Sequence, residues 1–348
     1  MIATSTLQQE PVVLPERSFG RIVRSVLGYG LLLGLMFISP LFVFVPAAVF
    51  ACGVRNRRAA TVLALAIATA VAALIAMQTA QGPSSTATDS LMGYAYLAAL
   101  VLGVAVPALL VLPMVERSES FGRILVIALL ASMAGLAATE AGTQLLTHFS
   151  PYREQVVRAH QTVEEFVVAY QKAGMPSDAV GTLRRWMDIG ISCLPAFFLI
   201  DVALVFVLSV VMFGRLRAWR QFMATRQPTE APTAAFLFRN LSLPDWLLFA
   251  FVAGGLTPLA TGMLQKVAAN VLAVVTFLYL LQGLAIFRSL LVAVGAGFMG
   301  VMFGYLLLIF LTITGIAPLL LSIAGLFDSF FDFRHFRRKD HSDESHPH

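Results

Sequence analysis

The chain has 348 residues, 58% of them hydrophobic and only 12% charged, with a formal net charge of +5. A mean hydropathy of +0.82 excludes a soluble globular domain: so few charges cannot coat the apolar residues with polar surface, and lipid needs no such coat. The basic residues gather at the ends of apolar runs, which points to anionic lipid headgroups rather than nucleic acid.

Residues 1–24 are expected to form a cytoplasmic tail bearing Arg17, Arg21 and Arg24. This basic start runs straight into an apolar stretch of spanning length without a small-residue cleavage site, so no secretory signal is expected. A membrane-spanning helix needs about 20 apolar residues. In the N-terminal transmembrane block, 25–146, the candidates are Ser25–Val54, Ala59–Ala80, Leu91–Met114 and Ile124–Leu146. A polar stretch, 147–186, follows as an extracytoplasmic insertion. The C-terminal transmembrane block, 187–331, holds Met187–Phe213, Trp246–Leu264, Val271–Phe287 and Ser289–Phe331. Residues 332–348 read as a disordered cytoplasmic tail, basic and histidine-bearing.

Two stretches are long enough for one helix or for a tight hairpin. Ser25–Val54 carries Pro40 and Pro46, and Ser289–Phe331 carries Thr314, Gly315 and Pro318. Basic residues avoid crossing the membrane, so arginine-rich links mark the cytoplasmic side. Arg17, Arg21 and Arg24 precede the first stretch, and Arg55, Arg57 and Arg58 follow it; it should therefore cross twice or dip and return. The same holds for Ser289–Phe331 between Arg288 and the cluster Arg334, Arg337, Arg338 and Lys339. The result is an all-α polytopic transmembrane helix bundle of about 8–10 segments, ten when both stretches fold back, with both termini cytoplasmic. It places 18 of the 24 lysines and arginines inside. Outside are Arg153, Arg158, Lys172, Arg184, Arg185 and Lys266.

Within the insertion, Ser150 is placed to cap a helix that begins at Pro151. Val156, Val157, Val163, Phe166, Val167 and Tyr170 form an apolar stripe at helical spacing. Gly174 and Pro176 break the chain before a second short helix from Ser177. The insertion reads either as a lid over the bundle or as a surface-bound connector. On the cytoplasmic side, Gly214–Pro244 should lie along the headgroups.

Ionisable residues at bilayer depth cost about 3 kcal/mol and call for an explanation. Asp201 lies near the middle of Met187–Phe213. Glu140 lies in the outer half of Ile124–Leu146, with Gln144 one turn on along the same face. No lysine or arginine occurs at comparable depth. Each carboxyl must therefore be protonated, bound to helix polar groups, or matched by a cationic ligand. Tyr279 and Gln282 share another helical face, suited either to a cavity or to a helix contact. Gly30 and Gly34 form a small-xxx-small pair, as do Gly300 and Gly304, and such pairs let helices approach closely.

No catalytic set is evident. A P-loop and HExxH are absent, and every histidine lies outside the apolar runs, leaving Ser192 without a base. No cofactor or metal site is expected, and Cys52 and Cys193 fall at different depths, against a disulfide.

Several segments resemble the YybS-like family of bacterial inner-membrane proteins. They are Phe238-Arg239, Leu243-Pro244-Asp245-Trp246, Leu280-Leu281-Gln282-Gly283-Leu284-Ala285, Gly325-Leu326-Phe327-Asp328 and Phe331-Asp332-Phe333-Arg334. The Pro40…Pro46…Arg55 pattern also fits, so the resemblance covers Ser25 to Arg334. That family is remotely similar to the substrate-capture subunits of energy-coupling-factor transporters and to the cell-shape scaffold MreD. The resemblance implies a docking face at Gly30 and Gly34 and an outward pocket near Glu140 and Gln144. The chain has more segments than the usual six. Two readings follow. One is an uptake component for a small solute, cationic or uncharged, working with ATPase and coupling subunits. The other is a membrane scaffold for envelope or shape-determining proteins.

Overall fold

The computed structural model describes residues 19–55, 58–80, 87–225, 236–313 and 315–331. The C-terminal tail, most of the N-terminal tail and the cations Arg17, Arg57, Arg226, Arg334, Arg337, Arg338 and Lys339 lie outside the described residues. What is described is helical throughout, without a strand.

The chain's prolines and glycines divide its apolar stretches. Helix α1 (Phe19–Phe37) stops where Pro40 opens a 3-10 turn, Pro40–Phe44, and α2 (Val45–Arg55) follows. Ser39 caps that turn by accepting the Leu41 amide at 3.3 Å. Ser25–Val54 is thus two short helices joined at a break. Helix α3 (Arg58–Ala80) spans in one piece. An added Cβ at Gly30 would meet Ile67, and one at Gly34 would meet Val71. That constant offset sets α1 and α3 running the same way.

Helices α4 (Ala87–Leu100) and α5 (Val106–Glu116) are joined by one π-helical turn, Val101–Ala105, into a single span. Pro107 accounts for the irregular turn, since it has no amide hydrogen and its ring crowds the preceding turn. Gly135 of α6 (Phe121–Thr147) fits against this bulge, where a Cβ would strike the Leu102 carbonyl.

The insertion is a helical hairpin of α7 (Pro151–Lys172) and α8 (Ser177–Ser192). Val163 and Val167 pack with Val180 and Ile191, with Val156 alongside, in a small core of their own. Val157, Phe166 and Tyr170, the rest of the expected stripe, stay exposed.

Two expected spans are corrected. Met187 belongs to α8, and the spanning helix α9 (Leu194–Thr225) starts after a break at Cys193, with Pro195 in its first turn. Trp246–Leu264 is not one helix. Helix α10 (Leu247–Gly255) ends at Gly254-Gly255, a 3-10 turn holds Pro258, and α11 (Gly262–Ala293) starts afresh at Gly262 with φ +61°. At 32 residues, α11 is about 48 Å long and takes in both Lys266 and Arg288.

Helices α12 (Phe298–Ile313) and α13 (Ile316–Phe331) meet at 110°, with Gly315 at φ +74° in the turn. Thr276 accepts from Ser322, and Gln282 donates to Asp328, each pair 46 residues apart. Helices α11 and α13 therefore run in parallel, with α12 between them in sequence. The expected apolar segments are helical, but Trp246–Leu264 is divided between α10, a 3-10 turn and the start of α11. Among the described residues five are long and apolar enough to span, six if α12–α13 is one broken span.

The main core fills the space between α2, α5, α6 and α9, where Phe50, Phe121, Ile124, Leu112 and Phe206 are fully enclosed. Polar pairs gather at opposite ends. Arg58–Glu116 (2.8 Å) and Arg123–Glu119 (3.6 Å) mark one end, termed inner here after the arginine distribution. Arg158–Asp89 (3.0 Å) marks the other.

Candidate functional site

The structure separates the residues that the sequence groups as a ligand site. Glu140 sits near the outer end of α6, where Ser150 donates to its Oε1 and the Tyr152 amide donates to its Oε2 at 3.1 Å. Ser150 in turn accepts the Arg153 amide at 3.1 Å. Glu140 thus closes the N-terminus of α7, where backbone amides lack helical partners and the helix dipole favours an anion. Of the three states open to it, the carboxyl takes the one bound to helix polar groups. Gln144, one turn on, is exposed and takes no part in these bonds.

Arg158 holds the same hairpin to the bundle by reaching Asp89 at the start of α4. Its pKa is raised above the usual arginine value, first by the hydrogen bond to Glu154 and then by the one to Asp89.

Asp201 lies elsewhere. With the span starting at Leu194, it sits about 10 Å inside the outer end, not at mid-helix. It is exposed on a stripe with Phe197, Leu204 and Leu208, and has no hydrogen-bonding or charged partner among the described residues. Nothing places it with Glu140.

Tyr279 and Gln282 are brought together, in a packed seam at the α11–α13 crossing. Gln282 is 1% exposed. Its Oε1 accepts the Leu243 amide at 3.1 Å and its Nε2 donates to Asp328 Oδ2 at 3.1 Å. Gly283 and Gly325 let the backbones touch: a Cβ on Gly283 would strike the Leu321 carbonyl, and one on Gly325 that of Tyr279. Tyr279 packs edge-on to Phe251 at 5.8 Å. The three distant motifs around Leu243, Gln282 and Asp328 thus meet at one point. Asp328 was missed as a candidate, although a carboxyl inside an apolar run is the signal that singles out Glu140 and Asp201.

The glycine faces also divide. Gly30 and Gly34 are buried against α3, so no separate partner reaches them. Gly304 faces Leu291 and Phe287 of α11, while Gly300 is exposed and an added Cβ would meet only Ala296.

One outer cleft has the size of a ligand site. It occupies about 600 Å³ where Pro40 breaks the first apolar stretch, between that break, α3 and α4. Its walls include Phe37, Ile38, Phe42, Ala72, Ile75 and Leu97, with Ser39 and Tyr96 as polar groups and Gly93 in the lining. The proline pattern marks the break; no pattern in the sequence pairs it with Tyr96.

Together these features define a polytopic all-α membrane protein whose polar residues serve largely as internal fastenings. The chain belongs to the DUF2232 family of predicted membrane proteins, whose model matches residues 29–329. No match emerged among curated proteins or among solved structures.

Proposed function

We propose that this chain is a non-catalytic binding component for the uptake of a small solute, acting in a bacterial inner membrane with separate ATPase and coupling subunits. The cleft at Pro40 carries this reading. Its volume of about 600 Å³ falls within the range of small-molecule sites, about 300–1,000 Å³. It lies at the end that the arginine distribution assigns to the outside, where a capture subunit meets its solute. The resemblance to energy-coupling-factor capture subunits supports the same reading. An apolar wall with one hydroxyl and one phenol suits an uncharged or weakly polar solute. Neither Glu140 nor Asp201 lines it, so the geometry gives no support to a cationic one.

The test is a thermal-shift screen of vitamins and related small apolar compounds on purified protein. Gly93 has open space where a side chain would start, so Gly93→Leu should fill the cleft without unfolding the bundle. A stabilising compound whose effect is lost in Gly93→Leu is the expected result. A screen without any stabilising compound, or a shift that survives Gly93→Leu, would overturn the reading.

A scaffold role is favoured by one separate observation. Helix α12 has no buried residue, and Phe298, Met302, Leu306, Ile309 and Phe310 are all exposed. A membrane partner seated there would be recovered by cross-linking from Gly300→Cys in native membranes and lost in Gly300→Trp.

A further inference from the structure

Three arginines distant in sequence line one cleft at the inner end. Arg215 comes from the inner part of α9, Arg239 from the 3-10 turn Phe238–Asn240, and Arg288 from the last turns of α11. The cleft occupies about 590 Å³, and its apolar walls include Phe236, Val292 and Tyr305 of α12. We propose that this cleft binds the phosphate group of a membrane lipid whose headgroup is net anionic, with the guanidinium groups on the phosphate and the apolar walls along the first part of the chains.

Three observations support this. First, the arginines at this end are not all alike: Arg58 and Arg123 are paired with Glu116 and Glu119. Arg215 and Arg288 have no carboxylate partner among the described residues. Second, all three border one concave space, whereas arginines that merely anchor helix ends spread along the headgroup plane. Planar guanidinium forks match phosphate oxygens two at a time, and arginine is less strongly hydrated than lysine. Third, the cleft is amphipathic in the sense a lipid requires. Tyr305 packs edge-on to Phe287 at 5.9 Å, which holds part of the wall in place on α12, a helix without a buried residue. A free phosphate ion would use the arginines but not the walls.

The experiment uses the full chain in phosphatidylcholine nanodiscs, with phosphatidylglycerol or inorganic phosphate added. Thermal shift and lipid retention by native mass spectrometry are the readouts. Phosphatidylglycerol should raise the melting temperature by several degrees and be retained on the protein, whereas inorganic phosphate should do neither. Arg215→Gln with Arg288→Gln should cut retention at least tenfold, while Arg158→Gln at the outer end should leave it intact. Should the double variant fail to fold, Val292→Trp tests the same point by filling the apolar half beside unaltered arginines, and it too should lose the lipid. Equal retention by wild type and both variants would overturn the proposal. A shift reproduced by inorganic phosphate alone would overturn the lipid as its source.

Discussion

Glu140 of α6 and Ser150 at the head of α7 are bonded to each other, Ser150 donating to the carboxylate while accepting the Arg153 amide. A carboxyl that looks like a ligand group in the sequence is in fact the fastening of the outer hairpin. Glu140→Ala should cost about 1–2 kcal/mol, the usual scale for losing a cap or a charge-assisted bond. Limited proteolysis should cut α7–α8 sooner. Glu140→Gln, which still accepts from Tyr152, should lose less. If Glu140 bound a ligand instead, Glu140→Gln would abolish ligand stabilisation and leave the ligand-free protein unchanged.

Gln282 holds two elements at once, so its loss breaks two bonds between separate parts of the chain. Gln282→Leu strips the Leu243 amide of its acceptor and Asp328 of one donor. The expected cost is about 1–3 kcal/mol, read as a lower melting temperature in detergent. Asp328→Asn keeps an acceptor for Gln282 and should have a smaller effect. Equal melting temperatures for Gln282→Leu and wild type would remove this bond from the account.

Glycines differ sharply in what surrounds them. Gly283→Val and Gly325→Val force side chains into carbonyl oxygens of the facing helix and should prevent α11 and α13 from closing. Gly142→Ala meets nothing within 4 Å on α6 and should be neutral or stabilising by up to about 1 kcal/mol. Expression and monodispersity in detergent separate the two outcomes; tolerance of both valines would show the seam to be looser than described.

Asp201 faces outward on an apolar stripe, so removing its charge should ease rather than harm the fold. Asp201→Leu should favour insertion of α9 by less than the ~2.5–3.5 kcal/mol of a mid-helix carboxylate, measured in a segment-insertion assay, and should raise the melting temperature. A fall in melting temperature would mean that a partner group is lost with the carboxylate.

The helical class and the outer hairpin were legible because hydropathy and capping act locally: Ser150 and Pro151 mark a helix start whatever surrounds them. Break points were less legible. Pro40 announces its break openly, but Trp246–Leu264 reads as a uniform apolar run, and only Gly254-Gly255 with Pro258 divides it. Asp201 reads as central only when Met187 is taken into its span, and the short helix α8 holds that residue. Partners were the least legible. Glu140 meets Ser150 and Gln282 meets Asp328 through packing between separate helices, and one sequence carries no record of which faces touch. The three inner arginines read only as a topology signal, since charge counting assigns a side of the membrane but not convergence.

The proposed function requires the arginine-bearing end to face the cytoplasm and the Pro40 cleft to face out. Single cysteines at His160 and Arg239, in a background with Cys52 and Cys193 both replaced by alanine, test it with a membrane-impermeant maleimide on intact spheroplasts. His160→Cys should be labelled from outside, and Arg239→Cys only after lysis. Labelling of Arg239→Cys on intact spheroplasts, with His160→Cys protected until lysis, would contradict it.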